Sequence, residues 1–178
     1  MKKNSNIVLI GMPGTFKSSV GVFLAERTGR YFVDTDSLFE YFKGCAIAEY
    51  FEKYGEKEFR KTEEKIIARA SEYENVVIAT GGGAVLSARN MELLKNCGFV
   101  VWLKARPEII LERTKKDETR PLLSAGTDAE KLEKIQALLN EREPLYAKYA
   151  DASADTDGLT PEMVAAEIVN AQHECLFC

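Results

Sequence analysis

Ile7-Val8-Leu9-Ile10-Gly11-Met12-Pro13-Gly14-Thr15-Phe16-Lys17-Ser18-Ser19 is the stretch on which the fold turns. Four consecutive apolar residues closed by a glycine read as a strand buried on both faces, as in the middle of a parallel sheet. The residues after Ile10 complete the layout of a phosphate-binding loop: a strand, a glycine-containing turn, then Lys-Ser opening a helix. In such a loop backbone N–H groups curl around phosphate oxygens and the helix N-terminus adds partial positive charge. Lys17 would reach the terminal phosphates, and the Ser18 hydroxyl would ligate Mg²⁺. The pattern G-x-x-x-x-G-K-[ST] asks for glycine where this chain has Phe16, a residue that brings strain or crowding to a tight loop. The competing reading is an ordinary strand-to-helix turn with a solvated lysine.

Outward from this segment the same alternation continues. Residues 31–33, 76–79, 99–103 and, more weakly, 152–154 are short apolar runs separated by helical patterns. Pro107 suits a first helical position, opening residues 108–115. Thr127 and Glu130 have the spacing of a capping box, and Thr160-Pro161-Glu162 combines an N-cap, a first-turn proline and a first-turn acid. Strand–helix alternation predicts an α/β fold with a parallel sheet covered on both faces. Two stretches depart from it. Residues 45–71 hold two successive helical patterns with no strand between them, which reads as an inserted helical subdomain. Residues 116–126 are charged and then broken by Pro121, which reads as an exposed, mobile loop.

Composition bounds what such a fold could do. At 178 residues the chain is one domain by length and needs no disulfide or structural metal to fold. With 46% hydrophobic and 29% charged residues, it is expected to be globular rather than disordered or membrane-embedded. A net charge of −4 argues against a general nucleic-acid binder, so an anionic ligand must be met by a local concentration of cations. The apolar run after Lys2 and Lys3 is too short for a signal peptide, and no stretch is long enough to span a membrane. Cys175 and Cys178 lack a second ligand pair and read as reduced thiols on a loose tail. A cytoplasmic location is therefore expected.

Candidate chemistry gathers at strand ends, where open parallel sheets bind their ligands. Asp34 and Asp36 follow the second strand; one carboxylate could serve Mg²⁺ and the other accept a proton from an attacking hydroxyl. Alone, two such acids would read as solvated turn residues. Gly81-Gly82-Gly83 follows the third strand and would let a ligand approach the backbone without a Cβ in the way. Arg142 continues the stripe of Leu132, Ile135, Leu138 and Leu139, so it either meets an internal acid or lines a site. Arg60, beside Phe59, and Arg120, before Pro121, read singly as solvated residues. Arg113 gives no independent signal.

Taken in order, these parts resemble the shikimate kinase family. The resemblance runs from Ile7 to about Ala171 through Asp34-Thr35-Asp36, Gly55-Glu56 with Phe59-Arg60, Gly81-Gly82-Gly83, Arg120-Pro121-Leu122-Leu123 and Arg142-Glu143-Pro144-Leu145-Tyr146. It implies a three-layer P-loop kinase fold with a five-stranded parallel sheet in order 2-3-1-4-5. Residues 1–178 would form one domain, with a substrate-binding region at about 34–71 and a lid at about 116–126. The implied reaction is phosphoryl transfer from MgATP to the 3-hydroxyl of shikimate by a monomer, with no nucleic-acid or membrane partner. Implied nucleotide-binding residues are Gly14, Thr15, Phe16, Lys17, Ser18, Ser19, Arg113 and Arg120, with Arg113 stacking on adenine. Implied substrate-binding residues are Asp36, Arg60, Gly81, Gly82, Gly83 and Arg142. Lys17, Asp36 and Arg120 would be catalytic, and Ser18 and Asp34 would serve Mg²⁺. The family has glycine where this chain has Phe16, which leaves a non-catalytic relative as one alternative. A kinase of the same fold for gluconate or a nucleoside monophosphate is another.

Overall fold

Alternation along the first strand sets the layers. The structure, a computed structural model, describes residues 6–115 and 126–176, the last six as backbone only. Strand β1 (Asn6–Ile10) is buried along its whole length. Its Ile7 and Leu9 pack on one face of the sheet with Val20 and Leu24 of α1 (Lys17–Thr28) and Val164 and Ile168 of α7 (Pro161–Leu176). Val8 and Ile10 point the other way, because successive strand side chains face opposite sides. There they meet Ile67 of α3 (Ile47–Ser71), Met91 and Leu94 of α4 (Ala88–Cys97), and Ile135 and Tyr146 of α6 (Asp128–Tyr149).

The other strands are β2 (Tyr31–Asp34), β3 (Val76–Ala79), β4 (Gly98–Lys104) and β5 (Ala152–Asp155). All pair in parallel, in the order β2-β3-β1-β4-β5. This is the sheet expected from the sequence, with helices on both faces. The order reverses beside β1, between the crossover to β3 and the crossover to β4. That reversal leaves a crevice at the carboxyl ends of the strands, where the phosphate-loop segment, Asp34 and the three glycines all emerge. No helix among the described residues is long and apolar enough to cross a membrane.

The region expected as an inserted helical unit, residues 45–71, is α3, which follows directly on α2 (Thr35–Lys43). Helix α3 spans both helical patterns and bends at Gly55, whose φ of 76° and ψ of 169° a side chain would resist. The bend folds the first half of α3 against α2 around a small separate core of Phe39, Tyr50, Phe59 and Ile66. Helix α5 (Pro107–Thr114) opens on its proline, and α6 opens on the expected capping box, with Thr127 and Glu130 each bonded to the other's backbone. At the C-terminus α7 continues to Leu176, so Cys175 lies in a helix where a loose tail was expected. Arg120 and all but the last residue of the expected lid, 116–126, lie outside the described residues.

Candidate active site

The segment between β1 and α1 folds as a loop whose Gly14, Phe16, Lys17, Ser18 and Ser19 line a cavity. Thr15 Oγ1 donates to Met12 O at 2.8 Å, closing the turn. Helix α1 then starts without a side-chain cap and with no acid in its first turn. Helices α2, α4 and α6, by contrast, are capped by Asp34, Ser87 and Thr127. Uncapped first-turn amides facing a cavity form an anion site, because their N–H groups and the helix dipole act together. Lys17 adds a full charge beside them. It is 8% exposed, and its ammonium donates to Gly11 O at 2.9 Å and Met12 O at 2.8 Å.

Phe16 occupies the N-cap of α1 with φ 64° and ψ 19°, the left-handed conformation that glycine adopts freely. For an L-residue that conformation costs roughly 1–2 kcal/mol. The chain therefore keeps the backbone shape of the loop despite the substitution. The ring turns toward Arg113, whose Cζ lies 3.6 Å from the ring centroid.

Asp34 is fully engaged. Its Oδ1 accepts from the amides of Asp36 (2.9 Å) and Ser37 (3.2 Å), which starts α2, and its Oδ2 accepts from Ser18 Oγ at 2.6 Å. One carboxylate thus fixes the first turn that carries Asp36 and stands against the hydroxyl expected to share a divalent ion with it. Among the described residues no group of three or more His, Cys, Asp or Glu forms a metal cage. A hydroxyl and one carboxylate suit Mg²⁺, which keeps several waters and takes its remaining oxygens from substrate phosphates.

A cavity of about 350 Å³ adjoins the loop, lined by Asp36, Phe59, Arg60, Glu63, the three glycines and Arg142. A second, of about 230 Å³, holds Lys17, Ser18, Phe16 and Arg113. The two share Ser18, Asp34, Asp36 and Gly82, so they form one continuous crevice. Arg142 is only 4% exposed; its Nη1 donates to Gly82 O at 3.3 Å, while its buried Nε has no hydrogen-bond partner. Across the cavity Arg60 Nη1 donates to Glu63 Oε2 at 2.8 Å and Nη2 reaches Glu56 Oε1 at 3.4 Å.

The three glycines also leave room for side chains of the site itself. A Cβ on Gly81 would sit 2.7 Å from Asp36 Oδ1, one on Gly82 would sit 2.6 Å from Pro13 Cδ, and one on Gly83 would strike the Arg60 guanidinium. Their missing side chains make room for the cavity's own acid and cation. The Gly81 amide is itself occupied, donating to Thr35 Oγ1 at 3.1 Å.

Two residues to which the sequence reading gave no role support this cavity, Glu63 in its lining and Tyr146 behind the Gly82 carbonyl. Glu63 is 5% exposed, and burial raises its carboxyl above the ordinary range against the opposing pull of Arg60. Tyr146 is buried, donates to Gly82 O at 2.7 Å and stacks on Trp102 at 5.8 Å between ring centroids. Both had a signal. Glu63 lies four residues after Phe59 and three before Ile66, and Tyr146 lies four after Arg142, so each continues an inward stripe.

Of the expected site residues that are described, all but the buried Thr15 line the two cavities, with Lys17 and the start of α1 at one end and Arg60 and Arg142 among acids at the other. A family model described as shikimate kinase matches residues 13–173. The chain belongs to the shikimate kinase family. A shikimate kinase from Caldanaerobacter subterraneus subsp. tengcongensis is 47% identical over 166 residues, 93% of this chain and 95% of that protein. The solved structure of a shikimate kinase from Acinetobacter baumannii in complex with shikimate is similar at TM-score 0.91 and 37% identity. It covers 95% of this chain and 93% of its own. A gluconokinase from Sinorhizobium meliloti, at 17% identity and TM-score 0.62 over 98% of this chain and 97% of its own, shares the fold alone. Membership makes the chain a shikimate kinase-type enzyme, with the P-loop fold and five-strand order expected from the sequence.

Proposed function

We propose that the chain transfers the γ-phosphoryl group of MgATP to the 3-hydroxyl of shikimate, giving shikimate 3-phosphate and ADP. The observation that carries the acceptor assignment is Arg142: a buried guanidinium with an orphaned Nε, facing a second arginine across a cavity that also holds Asp36. A carboxylate between the Arg60 and Arg142 guanidinium groups would take charge-assisted hydrogen bonds from both. Shikimate offers a carboxylate for Arg60 and Arg142 and hydroxyls for Asp36, with Gly81, Gly82 and Gly83 forming the wall between them.

Donor binding falls to the loop. Amides of Gly14, Thr15, Phe16, Lys17, Ser18 and Ser19 and the uncapped start of α1 would hold the phosphates, with Arg113 against the adenine. Lys17 then exchanges carbonyl partners for phosphate oxygens and neutralises charge on the group in transfer. Mg²⁺, held by Ser18 and Asp34, would offset charge on the phosphate oxygens. The acceptor hydroxyl oxygen forms a bond to the γ-phosphorus as the bond to the β,γ-bridging oxygen breaks, and Asp36 receives the hydroxyl proton. No covalent enzyme intermediate is required, since positioning and charge neutralisation supply most of the catalysis. Arg120 would join this charge from the 116–126 lid of a single domain whose acceptor region is 34–71. The reading extends to a cytoplasmic monomer, because one chain lines both cavities, with neither nucleic acid nor membrane as partner.

A coupled ADP-release assay with shikimate tests the proposal. Turnover should require shikimate and fall about a thousandfold in Lys17→Ala, the scale of losing a main transition-state donor. No turnover above the Lys17→Ala background would sink it, and would favour the non-catalytic alternative that Phe16 raises.

A further inference from the structure

We propose that Phe16 is a positioning residue for the nucleotide: its ring backs the Arg113 guanidinium, fixing it as a platform on which the donor's base stacks. The inference rests on the reading of the loop as the ATP site and assigns a use to the residue that departs from the loop pattern.

The guanidinium is held from several directions before any nucleotide arrives. Its Nη1 donates to Gly14 O (3.2 Å) and to Thr156 Oγ1 (2.9 Å), and its Nη2 donates to Thr156 O (2.7 Å). Thr156 is fully buried and anchored in turn, since its Oγ1 and its amide donate to Lys104 O at 2.8 and 2.9 Å. Phe16 covers one face of the guanidinium at 3.6 Å, and both residues line the cavity that contains Lys17 and Ser18. Arg113 is only partly buried, so the group keeps accessible surface for a second planar partner.

An arginine ordered in advance loses less side-chain entropy when the nucleotide binds. A guanidinium dried on one face by an aromatic ring is also a better stacking partner on the other, because less hydration is left to displace. The left-handed backbone at Phe16 fits this role. A strained conformation persists where its surroundings over-determine it, and here the ring is engaged by Arg113 and by the apolar layer around α1. Glycine at this position would relax the backbone and leave Arg113 without its backing.

The test compares the intact protein with Phe16→Gly, Phe16→Leu and Phe16→Tyr, using calorimetric binding of MgADP and of magnesium tripolyphosphate, which carries phosphates but no base. Phe16→Gly should weaken MgADP about three- to tenfold, the scale of a cation–π contact, and leave tripolyphosphate as tight or tighter. Phe16→Leu, which keeps bulk without the π face, should fall between, and Phe16→Tyr should retain wild-type affinity. In turnover the loss should appear in KM for MgATP and not in KM for shikimate. Unchanged or tighter MgADP binding in Phe16→Gly overturns the inference, as does equal weakening of both ligands. The binding arm separates this outcome from the parent proposal. A protein that shows the MgADP pattern but no turnover of shikimate refutes the proposed reaction and supports the role of Phe16.

Discussion

The two ends of the crevice share Ser18, Asp34, Asp36 and Gly82 but are built by opposite means. The donor end is built mainly on one segment, residues 14–19, whose backbone amides are the proposed binding groups, with Arg113 joining it from α5. The acceptor end is assembled from side chains on α2, α3 and α6 and from the turn after β3, elements that meet only when the chain has folded. A site made of amides depends on local backbone shape and tolerates an unusual side chain so long as that shape survives, as at Phe16. A site made of side chains depends on each partner, because removing one leaves another buried and unsatisfied. Substitutions at the acceptor end should therefore damage acceptor binding while donor binding survives.

Arg142→Ala makes the largest such cut. It removes a cation that is 4% exposed and leaves the acceptor carboxylate half paired, a change on the scale of about 2–5 kcal/mol. Steady-state kinetics should show kcat/KM for shikimate falling about a hundredfold, while calorimetry shows MgADP affinity within about twofold of wild type. Arg142→Lys should not restore it, because a point charge cannot supply the planar fork. An equal loss of MgADP affinity would break the comparison, making the two ends one cooperative unit.

Glu63→Gln sharpens it with a smaller effect, about a tenfold rise in KM for shikimate, the scale of weakening one charge-assisted hydrogen bond. The stability consequence has the opposite sign. Burial is the main cause of the raised Glu63 pKa, with the Arg60 charge opposing it. Between the ordinary carboxylate value of 4.5 and the higher native one, the folded state binds more protons than the unfolded state, so stability falls as pH rises through that window. Glutamine has no such titration. Thermal melts across pH 4–8 should thus show Glu63→Gln gaining on wild type as pH rises. A variant that binds shikimate worse yet is no less stable at neutral pH marks Glu63 as a residue kept for the site. Loss of stability at every pH would instead assign it to the packing.

Legibility in the sequence divides along the same line. The run from Ile7 to Ser19 could be read directly, because strand, loop and helix start are consecutive and their chemistry is local. Asp34 was legible as a site acid but not as the cap that begins α2, since an acid after a strand looks alike in both uses. Arg142 was found because its inward stripe is otherwise apolar. Glu63 was hidden among Glu56, Glu58 and Glu64, side chains that differ from it in burial rather than in type. The Phe16–Arg113 stack joins residues far apart in sequence through β4 and β5, and no local pattern encodes it.

Tyr146→Phe gives the smallest effect and probes the wall between the two ends. Burial pushes the Tyr146 phenol well above its ordinary value, so it stays a neutral donor at every working pH, and its one acceptor is Gly82 O at 2.7 Å. The same carbonyl also accepts from Arg142 Nη1 at 3.3 Å, so removing the hydroxyl does not orphan it. The cost should stay near that of one neutral hydrogen bond, about 1 kcal/mol, or a melting temperature lower by about 2–4 °C for a domain of this size. With Trp102 still stacked on the ring, the wall should keep its place and KM for shikimate should move by less than about threefold. A shift in KM as large as that of Glu63→Gln would mean that the hydroxyl sets the position of Gly82, and with it the Arg142 fork. The acceptor end would then depend on a backbone carbonyl as closely as the donor end depends on its amides.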